Sequence, residues 1–545
     1  MENTKKKLLT ILHLKKYFPI AKNSIFQKEQ YYVRANEDIS FDIYEGETIG
    51  LVGESGCGKS TLGRVILQLY EQTAGATIYY GTTVAEVAPV YMKQILLHFD
   101  DYYKKYLKLK AKSEIIRQKI DEVGLENADF FLLQKKSLAI AEEKTMFDYL
   151  IRNAGGFLAV EDKAKRDEGF KKMLNIYNIN VDIAMAKSRI FQPNADLEKL
   201  ESKEKRNEKS IVKVKLNIEN DQKLVEELSK QQEANNADLA AYKAQFADVE
   251  NFNKYESLTD DGVDLARLKY REIRRLRRDL QIIFQDPYSS LNPRMTIGQI
   301  IEEGLLTHNF FRRGSKAMKE YVFEIMNKCG LQDYMVHRYP NQFSGGQRQR
   351  VCIARSLAVK PKFVVCDECV SALDVSIQSQ IINLLDELKE QEHLTYLFIS
   401  HDLSVVKYIS DRIGVMYLGS LVEFADKDKI FDDPRHPYTV SLLSSIPTTD
   451  MDALKKERII LEGNIPSPIM PPHGCKFHTR CFMACDKCKT VVPDLVEVEP
   501  GHFVACHFPE KKLNEKGDYL FEIRKAIAEE KAQAKEQENN GQEGN

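Results

Sequence analysis

The sequence predicts an α/β protein built around a phosphate-binding loop, and three observations lead to this fold class. Residues Gly53–Thr61 read GESGCGKST, which matches the pattern G-x-x-x-x-G-K-[ST]. The apolar run Thr48–Val52 predicts a strand before the loop, and Leu62–Leu69 predicts a helix after it, as this loop requires. A further apolar run, Phe363–Glu368 (FVVCDE), predicts a second buried strand that ends in two carboxylates.

The residue types in the loop suit a nucleoside triphosphate. Glycines allow the backbone to wrap a polyphosphate with its N–H groups pointing inward at a helix N-terminus. Lys59 supplies a cation for the β- and γ-phosphates, and Ser60 supplies a hydroxyl ligand for Mg²⁺. We expect the loop to hold ATP through Gly53, Ser55, Gly56, Gly58, Lys59, Ser60 and Thr61.

Further motifs follow along the chain. Gln285 lies in IIFQDP, Phe343–Gln347 reads FSGGQ, Ser371–Asp374 reads SALD, and Tyr396–Asp402 reads YLFISHD. In this order the motifs resemble those of the ATP-binding-cassette (ABC) ATPases, with Phe343 where leucine is commoner. The resemblance implies ATPase activity and an ABC-type P-loop fold with a RecA-like core, an antiparallel β portion and a helical subdomain.

The resemblance also implies roles for individual side chains. Phosphoryl transfer depends on positioning and charge neutralisation more than on covalent chemistry. Glu368 would polarise the attacking water, His401 would orient it, and Asp367 would hold Mg²⁺ through water. The implied catalytic residues are Glu368, His401, Gln285 and Lys59, and the implied Mg²⁺ ligands are Ser60, Gln285 and Asp367.

The remaining nucleotide contacts predict a second subunit. Phe18, or its neighbour Tyr17, would stack on the adenine. FSGGQ resembles the signature motif of that family, and it begins a helix whose N–H groups suit an anion. In the resembled family that anion is the γ-phosphate held by the opposite subunit. One chain has a single set of motifs, so two active sites need a partner ATPase. The nucleotide-binding residues that these motifs imply are Ser344, Gly345, Gly346 and Gln347, together with Asp374 in SALD, which resembles the family's D-loop.

Composition limits the possible functions of this 545-residue chain. Its 79 basic and 81 acidic residues give no nucleic-acid signature. We find no apolar run near the 18 or so residues that a membrane span needs. The N-terminus, MENTKKKLLTILHLKKYF, predicts a first β-strand and not a signal peptide. Ten cysteines without a secretory signal favour a reducing compartment. We therefore expect a protein peripheral to the cytoplasmic face of the membrane.

Two segments resemble the ATPases of oligopeptide and dipeptide importers, and within that group GESGCGKSTLGR and SSLNPRMT resemble the F-type subunit more than the D-type. Gln285–Thr296 reads QDPYSSLNPRMT, and Arg435–Leu442 reads RHPYTVSL. The implied partners are a second ABC ATPase, two transmembrane permeases and, through them, an extracellular peptide-binding protein. Two alternatives stay open: import of another cargo (a dipeptide, a nickel chelate or a glycan), and a soluble chromosome or repair ATPase with an inserted arm.

Half of the cysteines cluster near the C-terminus. Four of these five lie close together in the sequence and the fifth follows at a distance. Thiolates in such an arrangement can converge on a single metal centre. Importer ATPases often carry a similar motif, which implies an iron–sulfur cluster, [4Fe-4S], on Cys475, Cys481, Cys488 and Cys506, with Cys485 as an extra thiol. Zinc and unliganded thiols remain alternatives. We expect the other five to be small buried hydrophobes: Cys57, Cys329, Cys352, Cys366 and Cys369.

The expected domain organisation includes a large insertion. We expect the cassette at 1–80 and 267–430, a mainly helical inserted domain at 81–266, a cysteine-containing extension at 431–509, and a charged tail at 510–545. Met92–Val123 and Tyr149–Met173 predict helices, while Leu197–Gln232 is consistent with either strand or helix. The default role for the insertion is a solvated decoration, and the alternative is a docking surface.

Overall fold

The computed structural model describes residues 5–22, 29–124, 129–201, 208–446, 459, 461 and 463–508. Within these ranges the strands form two sheets. The strands are β1 Lys7–Pro19, β2 Tyr32–Tyr44, β3 Thr48–Val52, β4 Ala74–Tyr79, β5 Val263–Asp264, β6 Leu280–Ile283, β7 Phe363–Asp367, β8 Thr395–Ile399, β9 Arg412–Tyr417, β10 Ser420–Asp426, β11 Val496–Glu499 and β12 His502–Val504.

The helices fall into three groups along the chain. Helix α1, Lys59–Ile66, follows the phosphate loop. Between β4 and β5 lie α2 Val84–Val87, α3 Val90–Leu97, α4 Phe99–Val123, α5 Phe130–Ala154, α6 Lys163–Glu201, α7 Glu208–Ala244 and α8 Phe252–Glu256. After β5 come α9 Tyr270–Leu276, α10 Pro287–Ser290, α11 Ile297–Thr307, α12 Lys316–Lys328, α13 Gly345–Leu357, α14 Val375–Glu392, α15 Leu403–Ile409, α16 Lys427–Asp432, α17 Pro437–Leu443 and α18 Asp486–Thr490.

The larger sheet positions the site. Its strand order is β11-β12-β10-β9-β3-β8-β7-β6, and the strands from β9 to β6 pair in parallel. Every residue of β3, β7 and β8 is buried, as expected for a parallel sheet that is covered on both faces. Because parallel strands end at the same edge, the loops after β3, β6, β7 and β8 meet there.

The smaller sheet is antiparallel, in the order β2-β1-β4-β5. Its strand β1 confirms the expectation that the N-terminal segment forms a first strand. Strands β4 and β5 pair at Ile78 with Asp264 and at Tyr79 with Val263. The chain therefore leaves the sheet at Tyr79 and returns beside it at Val263, with helices α2–α8 in between.

Helices α3–α8 pack around an aromatic core of their own. Phe157 is fully buried and contacts the rings of Phe170, Tyr242, Phe246 and Phe252, with ring centroids 5.8 to 6.2 Å apart. Aromatic pairs at such distances stabilise a core beyond their buried area. These helices thus have a hydrophobic cluster separate from those of the two sheets.

The helix predictions for this region are partly correct. The predicted helix Met92–Val123 is confirmed, although His98 separates it into α3 and α4. A single helix over Tyr149–Met173 is wrong, because α5 ends at Ala154 and a 3₁₀ turn follows. Gly155 has φ +56° there, which a helix cannot accommodate.

The undecided segment Leu197–Gln232 is helical where the structure describes it. It belongs to α6 and α7, so the strand alternative is wrong. The alternation that suggested a strand involves Val212 and Leu216, which lie exposed on a helix, and Ile218, which is buried. No helix in the described part of the chain is long and apolar enough to cross a bilayer.

Candidate functional site

The phosphate loop runs from the buried end of β3 to the start of α1. Two of its glycines, Gly53 and Gly58, occupy places where no side chain fits. A Cβ atom on Gly53 (φ +146°) would lie 2.2 Å from the carbonyl oxygen of Met416, and one on Gly58 (φ +101°) would lie 2.0 Å from that of Ala35. At Gly56 (φ +81°) the same atom would meet nothing within 4 Å. The loop is therefore fixed from behind and open at its centre, as a cradle for phosphate requires.

Lys59 lies inside this loop and is 4% exposed. Its ammonium donates hydrogen bonds to the carbonyl oxygens of Gly53 at 2.7 Å and Glu54 at 3.2 Å. The thiol of Cys57 lies 3.7 Å from the same nitrogen, and burial raises the pKa of that thiol, so it remains neutral. The only formal charge among these groups is the ammonium, which suits it to bind an anionic phosphate.

Asp367 ends β7 and is fully buried. Its Oδ2 accepts a hydrogen bond from Arg64 on α1 at 3.2 Å, while its Oδ1 has no hydrogen-bond partner among the described residues. Ser60 lies four residues before Arg64 on the same face of α1. A buried carboxylate oxygen without a partner is costly, and Mg²⁺ prefers such hard oxygen ligands. The residues present therefore fit the predicted magnesium site.

Glu368 brings three of the four predicted catalytic residues together, while the fourth, Lys59, lies in the phosphate loop. Its Oε2 accepts a hydrogen bond of 2.8 Å from the amide of Gln285, and its Oε1 lies 3.7 Å from Nδ1 of His401. The backbone adopts φ +47° at this residue, which is uncommon for a side chain other than glycine. Ser371 donates two hydrogen bonds to the Glu368 carbonyl, and they fix the turn next to Cys369. Gln285, Glu368 and His401 thus form one cluster beside Asp367.

The two aromatic candidates for the adenine contact differ in exposure. Tyr17 is 3% exposed, and its hydroxyl donates a hydrogen bond to Glu37. Phe18 is partly exposed and packs edge-on against Tyr70, with centroids 5.5 Å apart. The ammonium of Lys16 lies 4.7 Å from the Phe18 ring. Of the pair, Phe18 is the ring that a base can reach.

The signature motif caps helix α13. The Ser344 hydroxyl accepts a hydrogen bond from the Gln347 N–H at 3.4 Å, and the Gln347 side chain accepts one from the Ser344 N–H at 3.1 Å. A Cβ atom on Gly346 would lie 2.5 Å from Ile377, so this glycine allows α13 and α14 to approach closely. Ser344 and Asp374 are both exposed.

The C-terminal cysteines are close neighbours, but the structure gives the predicted metal centre no support. Burial raises the pKa of Cys481 to about 12 and that of Cys506 to about 11, and the thiols of Cys475 and Cys488 add to both effects. The sulfur of Cys485, the expected extra thiol, lies 3.7 Å from that of Cys488, so this thiol also belongs to the group of neighbours. In the described chain no group of three or more His, Cys, Asp or Glu residues could hold a metal ion.

The other five cysteines confirm the sequence interpretation. They are between 0 and 4% exposed in the core: Cys57, Cys329, Cys352, Cys366 and Cys369. Helix α14 buries one apolar face, which includes Ile381, Leu384, Leu385 and Leu388.

Sequence reasoning missed two arginines at this site. Arg64 contacts Asp367 and lies in GKSTLGR, directly after the phosphate loop. Arg480 donates two hydrogen bonds to Glu54 of the loop, at 2.8 and 3.1 Å, and lies in GCKFHTRC, between two of the cysteines. Arg64 lies three residues after the phosphate-loop motif and Arg480 lies between two of the clustered cysteines, but nothing local to the sequence indicates their partners.

Comparison with known proteins places the chain in a family. The sequence model of the ABC transporter family matches residues 36–230 and 252–371, and that of the oligopeptide/dipeptide transporter C-terminal region matches 422–488. The chain is 52% identical over 248 residues to the oligopeptide transport ATP-binding protein AppF of Bacillus subtilis, covering 45% of this chain and 75% of AppF. It is 55% identical over 247 residues to a putative peptide import ATP-binding protein of Brucella ovis, covering 45% and 77%.

A solved structure, cbiO1 from Clostridium perfringens, aligns with a TM-score of 0.38 at 14% identity over 78% of this chain and 92% of that one. The match of the ABC transporter model to more than half of the chain agrees with the phosphate loop, the Glu368 cluster and the capped signature helix. The chain therefore belongs to the ABC transporter family, as an ATP-hydrolysing member that binds ATP with Mg²⁺.

Proposed function

We propose that the chain powers the import of oligopeptides across the cytoplasmic membrane. The observation that carries this proposal is the match of residues 422–488 to the oligopeptide/dipeptide transporter C-terminal region, a region outside the general ATPase motifs. The names of the relatives, oligopeptide transport and peptide import ATP-binding proteins, support the same cargo class.

In this proposal the Glu368 cluster performs the hydrolytic step. Glu368 polarises the attacking water as the base, and His401 orients that water against the γ-phosphate. Gln285 holds the Glu368 carboxylate through its 2.8 Å hydrogen bond. A movement of the loop after β6 therefore changes the position of the base. Lys59 binds the β- and γ-phosphates. Asp367 and Ser60, with Gln285, would hold Mg²⁺, which supplies charge neutralisation at the phosphates.

ATP binding is proposed to close a head-to-tail dimer with a second ABC ATPase. Phe18 stacks on the adenine, and the phosphate loop holds the triphosphate. Ser344 and Asp374 are exposed and carry the N-termini of α13 and α14, so they are available to contact a nucleotide held by the partner. Hydrolysis then reopens the dimer on two permeases, which receive peptide from an extracellular binding protein.

The proposed organisation follows the expected boundaries: the cassette at 1–80 and 267–430, the inserted domain at 81–266 and the extension at 431–509. The return of the chain beside its exit, at the β4–β5 pair, supports an insertion that the cassette tolerates. The tail at 510–545 lies outside the described residues. In the same proposal the chain is an F-type subunit and is peripheral to the cytoplasmic face of the membrane.

A metal centre on Cys475, Cys481, Cys488 and Cys506 also remains a proposal. Its support is the spacing of these cysteines in the sequence. A [4Fe-4S] cluster is the first candidate and zinc is the second, since both take four thiolates.

Affinity capture of the tagged chain from detergent-solubilised membranes tests the proposed function. We expect to recover a second ABC ATPase together with two multi-span permeases, identified by mass. Recovery from the soluble fraction alone, with nucleic acid or another complex, would contradict the importer. That outcome would favour the alternative of a chromosome or repair ATPase.

A further inference from the structure

The segment Cys475–Cys481 touches the phosphate loop directly. Arg480 and Glu54 form a two-pronged ion pair, with Nη1 to Oε2 at 2.8 Å and Nη2 to Oε1 at 3.1 Å. The Arg480 side chain is 7% exposed and that of Glu54 is 25% exposed. Paired hydrogen bonds between a guanidinium and a carboxylate fix orientation as well as distance, and partial burial protects them from solvent screening.

Glu54 is also bonded through its backbone. Its N–H donates a hydrogen bond of 2.9 Å to the hydroxyl of Tyr438, which is fully buried. Its carbonyl accepts hydrogen bonds from the N–H of Cys57 and from the ammonium of Lys59, both at 3.2 Å. The residue that Arg480 holds is therefore the one whose carbonyl helps to place the phosphate-binding lysine.

The other end of the ion pair is rigid. Phe477 is 1% exposed and packs against the rings of Tyr417 and Tyr438, with centroids 5.2 and 5.3 Å away. The Lys476 ammonium donates hydrogen bonds of 2.7 Å to Leu418 and Ser420 in the β9–β10 hairpin. The Arg480 N–H closes a turn onto the Phe477 carbonyl at 2.9 Å. Arg480 is thus held by a buried anchor and does not extend from a free loop.

We propose that Arg480 is a positioning residue for the phosphate loop, through which the cysteine-containing extension sets the affinity for ATP. The guanidinium neutralises the Glu54 carboxylate, which would otherwise repel the incoming triphosphate, and it fixes the Glu54 carbonyl beside Lys59. Without Arg480 the loop keeps its glycines and lysine but loses the charge balance and the orientation of Glu54. This inference rests on the proposed nucleotide-binding role of the loop.

A double-mutant cycle on the full-length chain tests the proposal. The variants are Arg480→Gln, Glu54→Gln and the double variant, with Lys489→Gln as the matched control, because Lys489 forms an exposed ion pair in α18 of the same extension. The measurements are the Kd for a fluorescent ATP analogue, the KM and kcat of hydrolysis, and the thermal midpoint of each variant. We expect Arg480→Gln to raise Kd and KM about tenfold, the effect of losing one charged hydrogen bond, with a smaller change in kcat. The double variant should bind no more weakly than Arg480→Gln, since each change removes the same pair.

The readouts separate this role from a merely structural one. If Arg480 only anchored the extension, the thermal midpoint would fall while the Kd of the folded protein stayed at the wild-type value, and the proposal would be wrong. Additive effects of the two substitutions would also overturn it. Arg480→Lys should recover part of the affinity because it restores the charge but not the paired geometry. Absence of ATP binding by the wild-type chain would instead refute the proposed function of the loop.

Discussion

Replacing Glu368 by glutamine isolates the proposed base from the geometry around it. Glutamine has nearly the same shape, and its side-chain oxygen can still accept the hydrogen bond that Gln285 donates at 2.8 Å. His401 is 3.7 Å from the carboxylate and makes no hydrogen bond that the change would break. The Glu368 N–H is bonded to the Ile399 carbonyl at 3.0 Å, so the backbone should keep its unusual φ. The variant therefore loses the negative charge and little else.

The expected loss is the contribution of one general base. Such groups typically contribute about 10²- to 10⁴-fold in rate, which corresponds to about 2.7–5.4 kcal/mol in the activation barrier. The assay is phosphate release at saturating ATP by the chain assembled with its partner ATPase, beside the Kd for ATP. Since Asp367, Ser60 and Lys59 are unchanged, we expect the Kd to stay within about twofold.

Two results would refute this reasoning. Turnover that stays within a few-fold of wild type would remove Glu368 from the chemical step. A loss of ATP binding as large as the loss of turnover would mean that the carboxylate supports the phosphate site and does not act on water. Glu387→Gln is the matched control for removing a carboxylate, because Glu387 is exposed on α14 and has no role in the proposed mechanism. It should leave both turnover and ATP affinity unchanged.

Three further predictions concern nucleotide stacking, metal content and pH. Phe18→Ala should weaken ATP binding by about 1–3 kcal/mol, the worth of one base stacked on an aromatic ring, whereas Tyr17→Phe should leave the measured Kd nearly unchanged because Tyr17 is buried. Metal analysis of the chain, with absorption spectra, should find iron or zinc that Cys488→Ser removes and Cys485→Ser retains; a metal-free, folded wild type would contradict the centre. Burial lowers the pKa of His436 from 6.5 to about 3. Below pH 6.5 this histidine therefore binds a proton in the unfolded chain but not in the folded chain. Stability should therefore fall as the pH drops from 6.5 towards 3, by about 1 kcal/mol at pH 5.5 from this residue, and thermal midpoints of His436→Gln against wild type should show that slope disappear.

The parts of the fold that could be predicted are those in which a short segment determines its own structure. The strand before the phosphate loop, the helix after it and the strand that ends at Asp367 follow from apolar runs of five to eight residues with turn or charge signals at their ends. The convergence of Gln285, Glu368 and His401 was also accessible, because the loops that follow parallel strands meet at one edge.

Predictions failed where a pattern had two meanings. The alternation of Val212, Leu216 and their neighbours fits a strand, but two long helices pack along each other there, and most side chains of such helices remain in solvent. The helix expected over Tyr149–Met173 contains Gly155 and Gly156, where φ +56° at the first glycine turns the chain. The backbone angles at a glycine depend on its tertiary environment, and the spacing of apolar residues gives no information about that environment.

Contacts between distant segments set the remaining limit. Glu54 and Arg480 are 426 positions apart, and each lies in a recognisable motif whose other members already had assigned roles. A charged residue in a phosphate loop is by default a solvated side chain, and an arginine between cysteines is by default a surface cation. Only the packing of Phe477 into the core brings the guanidinium to the loop and excludes most of the water around it. The same burial that hides the pair from sequence reasoning gives it energetic weight, since an exposed pair would be worth little. An extension that the cassette's chemistry does not require thus contacts the loop on which that chemistry depends.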